Sequence, residues 1–138
     1  MKERPEIVLT ATDERRLGQL VRAKASELDP KTLELLEEEL QRATIVEPSL
    51  IPANVVTMNS VVSFEDVDTG QRSEVTLVYP SAASGMAGRV SILAPIGSAL
   101  LGLSVGDSID WPVPGGRSRH LKVTAVHYQP EAEGHLDL

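Results

Sequence analysis

GSALLGLS, residues 97 to 104, is the stretch on which the reading of this fold turns. Gly97 and Gly102 have the spacing of a phosphate-cradling loop, G-x-x-x-x-G-K-[ST], and Ser104 stands where that motif keeps a magnesium-binding hydroxyl, yet Leu103 fills the lysine position. A phosphate loop needs a buried strand running into a glycine-rich turn whose free N–H groups point at the anion. Here Pro95 precedes Ile96, Ala99, Leu100 and Leu103 at helical spacing, and Gly106 follows as a stop signal. The pattern predicts a short core helix over Pro95 to Leu103, with the glycines as small residues that allow close packing and their amides consumed by helical bonds. A nucleotide site is therefore not expected here.

Around this helix the apolar period is two. Val61 to Phe64 and Val75 to Tyr79 are β-branched and aromatic runs separated by the turn Asp68-Thr69-Gly70. Arg89 to Leu93, Ile109 to Val113 and Leu121 to Tyr128 complete a set of strands. Ile109, Trp111 and Val113 alternate with Ser108, Asp110 and Pro112, as in a half-buried strand. Pro114-Gly115-Gly116 reads as a hairpin turn into the last strand. The C-terminal part, residues 55 to 138, is thus expected to be an antiparallel sheet carrying one short helix.

The first 46 residues read differently. A helix opens at the capping box Thr10-Ala11-Thr12-Asp13 and carries Leu17, Leu20, Val21 and Leu28. Asp29-Pro30 caps a second helix, in which Leu33, Leu36, Leu40 and Ala43 form a seam and Glu34 and Glu37 to Glu39 take the outer faces. So short a connection folds the pair back as an antiparallel hairpin. Arg15, Arg16, Arg22 and Lys24 are placed to face the acidic second helix. Arms of roughly 14 to 17 residues project about 21 to 26 Å, with Glu27 and Asp29 at the tip. EPSLIPAN, residues 47 to 54, holds two prolines and reads as a linker.

Composition bounds the function. The 138 residues carry a formal charge of -7, with eight Lys/Arg against eleven Asp/Glu up to residue 47 and five against nine beyond it. Neither half offers the basic face that direct nucleic-acid binding requires. The absence of cysteine removes disulfides and thiolate metal sites and suits a reducing cytoplasm. No run approaches the ~18 apolar residues of a membrane span, and MKERPEIVLT has no signal-peptide core. A cytoplasmic protein with no membrane partner is expected.

Candidate chemistry is sparse. His120 and His127 sit near opposite ends of the last strand, and Glu131, Glu133 and His135 lie in a terminal tail with nothing rigid to preorganise a metal site. There is no G-x-S-x-G elbow. Catalytic residues, metal ligands and cofactors are all expected to be absent.

Taken together, the strings VVTMNSVV, TLVYP, APIGSALLGLSVGDSI, PGG, HLKV and YQPEA, behind a helical hairpin and a proline-containing linker, give the chain a specific resemblance. It resembles the bacterial Gre transcript-cleavage factors, and within that superfamily the regulators of nucleoside diphosphate kinase (Rnk), from Thr10 to about Ala132. The resemblance implies an α+β fold: a short antiparallel coiled coil followed by an FKBP-like domain. It implies a non-enzymatic regulator that binds RNA polymerase at the rim of its secondary channel. Nucleoside diphosphate kinase is a second candidate partner, and prolyl isomerisation a third reading that four scattered aromatics argue against. Gre factors contact the rim through a polar or acidic pair before the proline of the short helix; the matching positions are Leu93 and Ala94, followed by Pro95 and Ile96. Gre factors hold magnesium with acids at the tip of a much longer hairpin. This arm is too short for that role to pass to Glu27 and Asp29.

Overall fold

The computed structural model describes residues 6–27, 30–83, 88–113 and 117–135. Chain order runs β1 (Val8–Thr10), α1 (Ala11–Lys24), α2 (Pro30–Arg42), β2 (Thr44–Val46), then β3 (Val61–Asp66), β4 (Arg72–Val78), α3 (Pro80–Ala83), β5 (Arg89–Ser91), α4 (Pro95–Leu100), β6 (Ser108–Val113) and β7 (Arg117–Tyr128). Single 3₁₀ turns form at Pro48–Leu50 and Glu131–Glu133.

α1 starts where its cap predicts: the Thr10 hydroxyl accepts from the Asp13 N–H at 3.0 Å. The Asp13 carboxylate also reaches out of the helix, to the Met58 N–H. Leu17 and Val21 form the buried stripe. In α2 Leu36 is buried and Leu40, with Ala43 beyond it, packs against the core as the expected seam requires, but the buried face also takes in Leu35 and Glu39. Glu39, expected on a wet face, is 1 % exposed and is met by Arg42 through two hydrogen bonds of 3.0 and 2.7 Å. Lys24 pairs with Glu27 of its own turn at 3.4 Å. The Asp29 cap and the Pro114–Gly116 turn lie outside the described residues.

β1 and β2 pair in parallel, Val8 opposite Thr44 and Thr10 opposite Val46, and so tie together the entry to α1 and the exit from α2. This small sheet has no counterpart in the sequence reading. Three-residue strands give too little alternation to register.

The main sheet has the order β5-β4-β3-β7-β6. Its pairings are antiparallel except β4–β5, which is parallel. The expected all-antiparallel sheet is corrected here: α3 sits between β4 and β5, and a helix-containing crossover returns the chain in the same direction. Among its described residues the C-terminal part therefore holds two short α-helices, not one. β3 shows the alternation of a sheet with one wet face, its burial switching residue by residue from Val61 to Asp66. Asp66 closes the β3–β4 turn. Its Oδ1 accepts from the N–H groups of Asp68 and Thr69, while Oδ2 takes Arg119 at 3.2 Å.

One core serves both parts of the chain. Ile7, Leu9, Leu17 and Leu35 join Val56, Met58, Phe64, Leu77, Leu100, Trp111, Leu121 and others in a single apolar cluster. The GSALLGLS segment lies against it. α4 ends at Leu100, three residues short of expectation, because the chain turns left-handed at Gly102, φ 79°. The Gly102 amide is not spent on the helix; it donates to the Val56 carbonyl, while the Gly102 carbonyl accepts from Val8. A Cβ at Gly102 would stand 2.7 Å from Cβ of Ile7, and one at Gly97 would stand 2.2 Å from the Ser91 carbonyl oxygen. Both glycines are there for backbone approach, and neither forms a phosphate loop. EPSLIPAN is pinned too: Ile51 is buried, and Gln129 donates to the carbonyls of Pro52 and Val55 at 2.8 Å each.

Candidate functional site

The four residues singled out for partner contact form one surface turn. β5 ends at Ser91, two residues earlier than expected, so Leu93 does not end a strand; it belongs to the turn that leads into α4. Ala94 is the N-cap residue, with extended φ/ψ and no side-chain cap of its own, and Pro95 takes the first helical position, where its missing N–H costs nothing. Leu93, Ala94, Pro95 and Ile96 are each partly exposed, and Leu93 and Ile96 keep one side against the core.

The turn is held by two serines that the sequence reading passed over. Ser91 accepts from the Leu93 N–H through its hydroxyl at 3.1 Å and from the Ala94 N–H through its carbonyl at 3.0 Å. Ser98, 1 % exposed, donates to the Ile92 carbonyl at 2.7 Å. Buried hydroxyls are normally satisfied, and both satisfy backbone groups of the same turn. The only trace in the sequence is a serine on either side of an apolar-apolar-Ala-Pro run. The result is a partly exposed apolar turn braced by hydrogen bonds on both sides. It suits contact by burial more than by charge.

At the other end of the chain's first part, Glu27 is exposed in the turn after α1 and paired with Lys24. Asp29 lies outside the described residues.

A buried polar cluster fixes how α1 meets the sheet. Asp13, 2 % exposed, accepts from the Met58 N–H at 3.1 Å, a bond spanning 45 residues of sequence. Beside it Thr57 donates to Glu131 at 2.8 Å and exchanges a 2.8 Å bond with Ser60. Burial pushes the Asp13 carboxyl up to about 6; the Met58 N–H works against the shift, the Glu131 charge adds to it and Arg16 opposes it. Burial, with Asp13 second, raises the Tyr79 phenol as well. Glu131, read from sequence as part of a solvated tail, is instead half-buried in this cluster, whereas Glu133 and His135 are exposed. At Asp66 burial is outweighed by the Arg119 hydrogen bond and the Thr69 and Asp68 N–H groups, and its carboxyl is held below the usual range.

The histidines do not converge. His120 faces Asp110 at 3.6 Å, while His127 shares its Nε2 between Ser63 at 2.7 Å and Glu74 at 3.6 Å. With both partners on one nitrogen, Glu74 does not orient the ring from behind as a nucleophile-activating triad requires. Among the described residues no group of three His, Cys, Asp or Glu is placed to hold a metal ion. No helix among them is long and apolar enough to cross a membrane.

The chain is α+β, with N-terminal helices, a curled sheet and a partly exposed apolar turn at residues 93 to 96. The family model for the C-terminal part of the transcription elongation factors GreA/GreB matches residues 51–128, and the Rnk N-terminus model matches residues 5–46. The chain is 43% identical to the regulator of nucleoside diphosphate kinase of Escherichia coli K12, over 95% of this chain and 96% of that protein. It is 34% identical to the elongation factor GreA of Beijerinckia indica, over 93% of this chain and 85% of that one. A solved GreA/GreB elongation factor from Nitrosomonas europaea superposes with a TM-score of 0.71 at 42% identity, over 91% of this chain and all of that one. The chain belongs to the GreA/GreB family, in the branch with an Rnk N-terminus.

Proposed function

We propose that this protein binds RNA polymerase at the rim of the secondary channel and occupies the channel without stimulating transcript cleavage. The observation that carries the reading is the preformed turn Leu93-Ala94-Pro95-Ile96, at the position where Gre factors grip their partner, combined with helices of 14 and 13 residues that extend only about 20 Å. In this reading residues 55–138 form the FKBP-like gripping domain, residues 47–54 the connector and residues 1–46 a short coiled coil pointing inward. Glu27 and Asp29 at its tip stay clear of the catalytic metal. The protein acts in the cytoplasm on polymerase alone, with no contact to nucleic acid and no reaction of its own.

The GreA proteins it resembles have about 15% of their length outside the matched region. Influence on nucleoside diphosphate kinase, which appears in the name of the Escherichia coli relative, then follows indirectly, through transcription. Binding to purified core polymerase with displacement of a Gre factor, and no rise in transcript cleavage, is the expected result. A pull-down at micromolar protein that recovers no polymerase removes this reading. Direct co-purification with nucleoside diphosphate kinase instead would favour a dedicated kinase partner.

A further inference from the structure

The turn at residues 93 to 96 has no side-chain cap of its own, so the surface it offers depends on what holds its backbone. Two serines hold it. The Ser91 carbonyl and hydroxyl accept from the Ala94 and Leu93 N–H groups at 3.0 and 3.1 Å, and the Ser98 hydroxyl donates to the Ile92 carbonyl at 2.7 Å. Gly97 makes this closure possible, since a Cβ there would overlap the Ser91 carbonyl oxygen.

Ser98 differs from Ser91 in that it is 1 % exposed and lies between buried Gly97 and Ala99, out of reach of any partner on the surface. Helix propensity does not ask for serine at this position; alanine would suit α4 better. What the hydroxyl does is tie α4 to Ile92, itself fully buried and bonded through its N–H to Val78 of β4. Leu93 to Ile96 are the residues between those two anchors. Without the hydroxyl a buried carbonyl loses its partner, and opening the turn toward water relieves that penalty.

We propose that Ser98 is a positioning residue for partner binding: its hydroxyl holds Leu93, Ala94, Pro95 and Ile96 in the arrangement that docks, without touching the partner. The inference deepens the polymerase reading and rests on it. A looser turn docks only for the fraction of time it spends in that arrangement, so the apparent affinity falls by that fraction. The loss falls on association, because the docked surface is the same once formed.

The test compares full-length wild type, Ser98→Ala, Ser98→Cys and Leu93→Glu for association and dissociation rates on immobilised core polymerase, and for amide exchange without polymerase. Ser98→Ala should associate about tenfold more slowly, dissociate within about twofold of wild type, and exchange its Leu93 and Ala94 amides about tenfold faster while those of β3 and β7 keep their protection. Ser98→Cys, of similar size with a weaker donor, should fall between the two, and it carries the same readouts if alanine unfolds the protein. Wild-type exchange at those two amides in Ser98→Ala, or a wild-type association rate there while Leu93→Glu has lost binding, overturns the role of Ser98 and leaves the grip standing. Unchanged binding by Leu93→Glu overturns the grip at this turn, and the role of Ser98 with it.

Discussion

At Asp13 a capping residue has become a clamp: its N–H serves the start of α1, while its carboxylate leaves the helix to hold Met58. The folded state binds this proton more tightly than the unfolded chain does, since the pKa is about 6 against 3.8. The stabilising contribution is therefore full below pH 3.8 and is lost as pH rises through about 6, above which the buried charge is a cost. Asp13→Asn keeps an acceptor for Met58 and removes the charge. It should gain about 1–2 kcal/mol at pH 8 and converge on wild type only as pH falls below 3.8, followed by thermal unfolding across that range. A loss at pH 8 would mean that the charge-assisted bond outweighs desolvation. At Gly97 the expected effect is opposite in sign. Alanine there drives Cβ into the Ser91 carbonyl, so a loss of about 3 kcal/mol is expected in urea unfolding. That a glycine stood in an apolar run was legible. That it faces the end of β5 was not, because a close approach between segments leaves no mark in local spacing.

α2 shows how far periodicity reaches. The leucines and glutamates predict a helix, and one forms over Pro30–Arg42 with Leu36 buried and Leu40 packed on the core as their spacing predicts, but its buried face extends to Leu35 and Glu39. Tertiary contact with the core selects that face, and the glutamate it buries is satisfied by Arg42, one turn away. Removing one partner of a buried pair is costly, and Arg42 is partly exposed, so Glu39→Ala should lose about 2 kcal/mol on denaturant titration. The parallel pairing of β5 was likewise hidden, since α3 is a single turn with too few residues for a helical period. In the turn before α4, by contrast, Ala94-Pro95 was readable as a helix start. Because Leu93 and Ile96 present apolar surface there, Leu93→Glu is expected to weaken polymerase binding about tenfold or more while leaving the fold intact, measured by pull-down and circular dichroism. Unchanged binding would move the contact elsewhere on the molecule.

For the molecule as a whole, the shared core decides how the arm can act. Ile7, Leu9, Leu17 and Leu35 are packed into the same cluster as Trp111 and Leu121, and β1 is bonded to both β2 and Gly102. The base of the helical pair is thus fixed to the sheet, and the grip proposed for residues 93 to 96 would also fix where α1 and α2 point. A rigid arm of about 20 Å cannot make up missing length by swinging deeper. Two results should follow in backtracked polymerase complexes. The protein alone should leave transcript cleavage at its intrinsic rate, and added to a Gre factor it should suppress stimulated cleavage in proportion to its concentration. Glu27→Gln should compete as well as wild type, because a side chain paired with Lys24 on the arm's own surface has no metal to hold. Stimulation of cleavage by the wild-type protein, abolished in that variant, would place the tip at the catalytic centre and require an arm that reaches farther than these helices do.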